Sequence, residues 1–261
     1  MLSFWIRPIR PPCLISRSWC YGIKHYYALP HRVTCYNTCM HTLIIGGSRG
    51  IGWELAKLYA AQGERVTVTG RTQPEKPENH ITFQPLDLSS LNYIRDIDDF
   101  IDGAEHVDRL VFSPGFYQEG TITDLSPEQI VDMIQVCGTA FIFVARAILN
   151  KQVELSECIV ITSSSQWTPR KLEPVYNFTK AGLGHFAHAL ALDERVKKMM
   201  VAGPTGTKTA FHKGRDIDMS TYHDPDWVAR QIFDYSQGDY NYKFIRILRD
   251  PPRVEVAVDE Q

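Results

Sequence analysis

Residues 1–39 of this 261-residue chain contain no aspartate or glutamate. They hold five of its 28 basic residues (Arg7, Arg10, Arg17, Lys24 and Arg32) and four of its six cysteines (Cys13, Cys20, Cys35 and Cys39), so the remainder is more acidic than the whole-chain charge of −2 suggests. Excess charge of either sign is also lacking overall, which excludes a general attraction to nucleic acid or to an anionic membrane. No run of 18 or more apolar residues occurs, so no membrane-spanning helix is predicted. Beyond residue 39 only Cys137 and Cys158 remain, too few for a disulfide framework. A reducing compartment, the cytoplasm, is expected, and both cysteines read as small core residues in apolar runs.

The head itself admits three readings. Basic, acid-free and serine-containing, it is similar to a mitochondrial transit peptide, but Pro8, Pro11, Pro12 and Pro30 interrupt any long amphipathic helix. A zinc site from Cys35, Cys39 and His25 or His31 matches no standard ligand spacing, so no metal is expected. The preferred reading is an extension outside the fold, because Met40 directly precedes the first strand. The domain is then 40–250, with 251–261 as a C-terminal tail.

What is present after residue 40 is an alternation of short apolar runs with helical patterns, in a body 44% apolar and 22% charged over the whole chain. That order predicts a single α/β domain: a doubly wound, Rossmann-type parallel sheet of about seven strands with helices on both faces. Strands are expected at Thr42–Ile45, Arg65–Thr69, a segment ending at Asp87, Leu110–Ser113, Cys158–Thr162, Met199–Ala202 and Phe244–Leu248. Helical faces read Ile51, Leu55, Leu58 and Tyr59, then Leu91, Ile94, Ile97 and Ile101. Ser126, Pro127 and Gln129 make a capping-box start for a helix running to about Leu149, Tyr176–Leu192 is a further helix, and Asp224 with Pro225 caps another.

The first strand runs into Gly46-Gly47-Ser48-Arg49-Gly50-Ile51-Gly52, and the first helix begins there. Glycines at 46, 50 and 52 allow a tight turn, close approach of the backbone to a pyrophosphate and close helix packing, while the helix N-terminus offers free N–H groups to the anion. The second strand ends in Thr69-Gly70-Arg71, without the carboxylate that would hold an NAD ribose and repel a 2′-phosphate. Arg71 and Arg49 can form a fork around that phosphate, so NADP(H) is expected over NAD(H). Asp87 can reach the adenine amino group or cap the next helix. Tyr176 and Lys180 lie one helical turn apart on one face, following Ser163, Ser164 and Ser165. A phenol beside an ammonium and an oxidised nicotinamide is stabilised as its anion, which would make Tyr176 a usable acid or base.

With these motifs in this order, the chain from about residue 41 to 250 resembles the short-chain dehydrogenase/reductase family. Pro204 followed by Thr209 fits the same pattern. The resemblance implies a serine that holds a substrate carbonyl, a tyrosine that protonates it, and a lysine that binds the nicotinamide ribose and lowers the tyrosine pKa. The substrate would be a small carbonyl or alcohol compound. Strand alignment favours Ser164 as that serine, and the usual interval to the tyrosine favours Ser163. Gln135 corresponds to an asparagine that helps a proton relay. Phe112-Ser113-Pro114-Gly115 stands where the family has Asn-Asn-Ala-Gly, so Ser113 and Gly115 are expected at the cofactor beside a changed strand end. Thr205 stands where the family has glycine. Pairing of the long apolar helices implies a homodimer or homotetramer. The departures motivate a rival reading, an NADP(H)-binding sensor or scaffold with little catalysis.

Overall fold

The computed structural model describes residues 39–212, 214 and 217–261. The three readings of the head lie outside the described residues, apart from Cys39, whose thiol donates to the Gly63 carbonyl at 2.6 Å.

Eight strands form one sheet: β1 (His41–Ile45), β2 (Arg65–Gly70), β3 (Ile81–Pro85), β4 (Arg109–Phe112), β5 (Glu157–Ile161), β6 (Met199–Pro204), β7 (Tyr242–Arg249) and β8 (Pro252–Glu260). The helices are α1 (Gly50–Ala61), α2 (Tyr93–Gly103), α3 (Pro127–Ile134), α4 (Ala140–Lys151), α5 (Pro174–Leu190) and α6 (Pro225–Ser236). Strand order is β3-β2-β1-β4-β5-β6-β7-β8. The first seven strands pair in parallel, and β8 runs antiparallel to β7. The domain is the doubly wound α/β sheet expected from the sequence.

Continuous apolar runs make the central strands because both of their faces are covered: every residue of β1, β4, β5 and β6 is buried. One face packs Leu55 and Tyr59 of α1 with Val228 and Ile232 of α6. The other packs Ile97 and Ile101 of α2, Phe141, Val144 and Ile148 of α4, and Leu183 and Ala187 of α5. Order reverses between β1 and β4, which opens a crevice at the C-terminal ends of those strands. At the opposite end Arg109 is buried between Glu64 and Glu157, with Thr42 Oγ1 accepting from its Nη1 at 3.0 Å.

Several elements differ from the sequence expectation. Residues 252–260, read as a tail, form β8 and extend the sheet beyond seven strands. The third strand stops at Pro85, leaving Asp87 in the following loop, where its carboxylate accepts from Ser89 N at 2.9 Å and Ser89 Oγ at 2.6 Å. Helix α2 starts only at Tyr93, so Leu91 is outside it and 98% exposed. The capping box at Ser126 is present: Ser126 Oγ accepts from Gln129 N, and Gln129 Oε1 accepts from Ser126 N. Asp224 occupies the N-cap place of α6 without a side-chain cap, its carboxylate turned to Lys208 at 3.1 Å.

The helix that opens at Ser126 is interrupted by a π-helical turn, Gln135–Thr139, joining α3 to α4. As one run, Pro127–Lys151 is long and apolar enough, by length and composition, to cross a membrane. Asp132, Gln135 and Arg146 interrupt its apolar sequence, so it holds no unbroken apolar run of that length. In the fold its inner face, including Met133, Phe141, Val144 and Ile148, is buried in the core.

Candidate active site

The crevice is a cleft of about 600 Å³. Its first wall is the β1–α1 turn. Gly46 has φ +77°, and a Cβ there would lie 2.7 Å from Pro114 N, so only glycine lets the turn pass the β4 strand end. Pro114 thus abuts the turn and leaves the cleft open. Gly50 has φ +60°, and a Cβ on Gly52 would fall 2.8 Å from the Gly46 carbonyl. A Cβ on Gly70 would come within 2.5 Å of Ser48 Oγ, which keeps the end of β2 close to the turn. Helix α1 opens into this space with Arg49 at its N-cap, no side-chain cap and no acidic residue in its first turn. Its leading N–H groups and the positive end of its dipole therefore face the cleft unneutralised. This bare, glycine-lined helix start fits the pyrophosphate of a dinucleotide.

Arg71 and Asp87 line the same end of the cleft. Burial works against ionisation of Asp87, but the two Ser89 hydrogen bonds and the Arg71 charge hold its carboxyl below the usual value. Its acceptor capacity is partly spent within its own loop.

The second wall comes from the end of β5 and the start of α5. Pro174 at the first turn sets α5 in place, and its buried face carries Val175, Tyr176, Thr179, Lys180 and Leu183. Lys180 Nζ donates to the Ile161 carbonyl at 3.2 Å and stands 5.7 Å from the centre of the Tyr176 ring. Ser163 is extended, its hydroxyl accepting from Ser165 N at 3.2 Å and donating to Ser165 Oγ at 3.3 Å, and it is the serine near enough to the Tyr176 phenol to act on its pKa. Ser164 Oγ instead accepts from Arg170 Nη2 at 2.8 Å. Ser165 Oγ accepts from Arg170 Nη1 at 2.9 Å and donates to Glu173 Oε2 at 2.7 Å.

The phenol is not depressed by its lysine in the free protein. Burial raises its pKa well above the ordinary tyrosine value, the neighbouring Cys137 thiol adds to the rise, and the Ser163 hydrogen bond opposes it. Burial likewise lowers the Lys180 pKa, with Cys137 partly offsetting that.

Ser113, Gly115, Pro204 and Thr209 complete the cleft between the two walls. Of the residues singled out in the sequence, Gly46, Ser48, Arg49, Gly50, Ile51, Arg71, Asp87, Ser113, Gly115, Ser163, Ser164, Tyr176, Lys180, Pro204 and Thr209 all line it. Gly52 lies beneath the turn and acts through packing. Gln135 does not line the cleft: its amide donates to the Leu88 carbonyl at 2.7 Å and the Ser90 carbonyl at 2.9 Å, so a relay role for it is corrected. The buried group beside Tyr176 and Lys180 is Cys137, two residues on. Its sulfur accepts from Phe116 N at 3.3 Å and donates to Phe116 O at 3.1 Å. Cys137 is the small buried core residue that the sequence leads one to expect, and its place within the π-turn also sets it near the Tyr176 and Lys180 pair. Unforeseen is an aromatic wall in which Tyr117, Tyr176 and Phe211 meet with ring centres 5.2–5.7 Å apart.

Comparison with known proteins agrees with this geometry. Residues 40–219 match the family model described as short chain dehydrogenase. An uncharacterised oxidoreductase of Staphylococcus epidermidis is 31% identical over 188 residues, covering 67% of this chain and 81% of its own. A 3-oxoacyl-acyl-carrier-protein reductase of Chlamydia trachomatis is 24% identical over 174 residues, covering 61% of this chain and 69% of its own. Among solved structures, a short-chain dehydrogenase of Sphingobium yanoikuyae in complex with NADPH superposes with a TM-score of 0.66 at 20% identity, covering 75% of this chain and 85% of that one. A glycine turn at a bare helix start, a tyrosine and lysine one turn apart on α5, and a family model spanning most of the domain all agree: the chain belongs to the short-chain dehydrogenase/reductase family of oxidoreductases.

Proposed function

We propose that this chain is an NADP(H)-dependent oxidoreductase that moves hydride between the nicotinamide and a small carbonyl or alcohol compound. The observation that carries the reading is the meeting, in one cleft, of the uncapped α1 N-terminus with the Ser163, Tyr176 and Lys180 group. The nucleotide, when bound, supplies or accepts the hydride. Everything else falls to the chain's own residues. The α1 turn would hold the pyrophosphate, and Lys180 the nicotinamide ribose. Arg71 and Arg49 both line the cleft, and no carboxylate stands at Thr69-Gly70-Arg71, which favours NADP(H) over NAD(H).

Ser163 is assigned the substrate carbonyl, since it is the serine near enough to the phenol to act on its pKa, while the Ser164 hydroxyl is engaged by Arg170. Tyr176, with its pKa raised, is protonated throughout the neutral range and ready to donate to a developing alkoxide. The reduction direction is therefore the one for which the free protein is prepared. The cleft is walled by Phe116, Tyr117 and Phe211, which suits a substrate with an apolar body. Exposed apolar residues on the helical layer, Val131, Ile142 and Phe178 (65% exposed), support a homodimer or homotetramer.

The test is NADPH and NADH binding by the full chain, followed by hydride transfer from NADPH across a panel of aldehydes and ketones. Tighter binding of NADPH and stereospecific turnover are the expected results. The Gln135 amide, spent on the Leu88 and Ser90 carbonyls, favours one rival reading, an NADP(H)-binding sensor with little catalysis. Tight NADPH binding with no turnover across that panel would establish the rival.

A further inference from the structure

The cleft holds a cation that, among the described residues, has no ion-pair or hydrogen-bond partner. Arg249 ends β7, is half-buried and lines the cleft. Among the described residues, no carboxylate lies within ion-pair distance of its guanidinium, and none of its five N–H donors meets a protein acceptor. Two features fix it in place. Its Cζ sits 4.7 Å from the centre of the Tyr222 ring. A Cβ on Gly206 would lie 2.8 Å from Arg249 Nη1 and 2.7 Å from the Tyr222 ring, so the absent side chain at 206 makes room for both. A guanidinium seated this way keeps its hydrogen-bonding edge for something else.

A continuous aromatic path joins Arg249 to the reacting phenol. Ring centres step from Tyr176 to Phe211 (5.7 Å), from Phe211 to His212 (5.1 Å) and from His212 to Tyr222 (5.2 Å), and Tyr222 carries Arg249. All of these residues line the same cleft. Gly115 serves the path as well, since a Cβ there would lie 3.1 Å from the Phe211 ring.

We propose that Arg249 is a specificity-determining residue that binds an anionic group, carboxylate or phosphate, at the end of the substrate remote from its carbonyl. The substrate class is then an apolar or aromatic carbonyl compound with a terminal anion. Its body lies along the Phe211–Tyr222 wall, and its carbonyl meets Tyr176 and Ser163. A planar guanidinium takes either anion through two parallel hydrogen bonds. This inference rests on the reductase reading of the same cleft.

The test uses the full chain saturated with NADPH and three aldehydes: 4-formylbenzoate, its methyl ester and 4-formylphenyl phosphate. An anionic compound should be preferred over the ester by about tenfold or more in kcat/KM. Arg249→Gln should bring that ratio to near one with NADPH affinity unchanged, and Arg249→Lys should keep part of it. Which anionic aldehyde gains more separates a carboxylate substrate from a phosphate one. Calorimetric binding of the non-reducible probes benzoate and phenyl phosphate, lost in Arg249→Gln at an unaltered melting temperature, reads the site without hydride transfer. Binding of those probes with no aldehyde turned over would leave the anion site standing and overturn the reductase reading. Turnover with no preference for either anion, a preference that survives Arg249→Gln, or a parallel loss of NADPH affinity in that variant would overturn the proposal.

Discussion

Lys180 Nζ stands 5.7 Å from the centre of the Tyr176 ring, yet the phenol it accompanies is raised in pKa rather than lowered. Removal from water disfavours the phenolate more than a buried ammonium, its own charged form also disfavoured, stabilises it. The pair is thus set to hold a proton until a substrate oxygen takes it.

The pH dependence follows from that direction. A group with raised pKa keeps its proton through the neutral range, so carbonyl reduction should be level from pH 6 to 8 by about a factor of two and fall only in alkali. Alcohol oxidation, which needs the phenolate, should climb with pH over the same range. Initial rates in both directions across buffered pH check this; a reduction rate that drops between pH 6 and 8 would contradict the raised phenol.

Tyr176→Phe removes the proton donor and leaves the ring packing with Tyr117 and Phe211 intact. Reduction should fall by about 10²–10⁴-fold with NADPH affinity preserved. Ser163→Ala should cost far more activity than Ser164→Ala, a comparison that decides between the two hydroxyls directly.

Arg71→Ala should weaken NADPH binding by about tenfold or more and leave NADH binding nearly unchanged, since a charge-assisted contact to the 2′-phosphate is lost. Titration of each nucleotide against the variant measures it. Equal losses for both would mean that Arg71 supports the loop rather than the phosphate.

Cys137→Val keeps the volume but removes the bonds that tie Phe116 to the π-turn. Reduction should slow by about tenfold, and Cys137→Ser should restore much of it, because a hydroxyl can both accept from Phe116 N and donate to Phe116 O. Steady-state rates of the two variants distinguish this from simple core filling, which would favour valine.

Arg109→Met leaves Glu64 and Glu157 without their cation at the closed end of the sheet. Breaking a buried ion pair from one side costs about 3–5 kcal/mol. The melting temperature should fall by roughly 10 °C for a domain of this size. Cofactor affinity, measured below the transition, should be unaltered.

Local pattern alone determined a good deal here. The glycine turn, the absence of a carboxylate after β2, the Tyr176 and Lys180 spacing and the alternation of strands and helices are all short-range features, and each reappears in the fold. Val254, Val256 and Val258 alternate as a strand does, but the segment was expected as a tail, and only pairing with β7 makes it β8. Tertiary structure decided the rest. The π-turn at Gln135–Thr139 departs from 3.6-residue periodicity; within it Gln135 turns to the Leu88 and Ser90 carbonyls, and Cys137 is the group whose thiol acts on the phenol. The proposed preference for Ser163 over Ser164 leans on a guanidinium six residues further along the chain, and the seating of Arg249 on a glycine and a ring that the fold brings to it. Such contacts depend on which distant side chains fill the space around a group, and linear spacing carries no record of that.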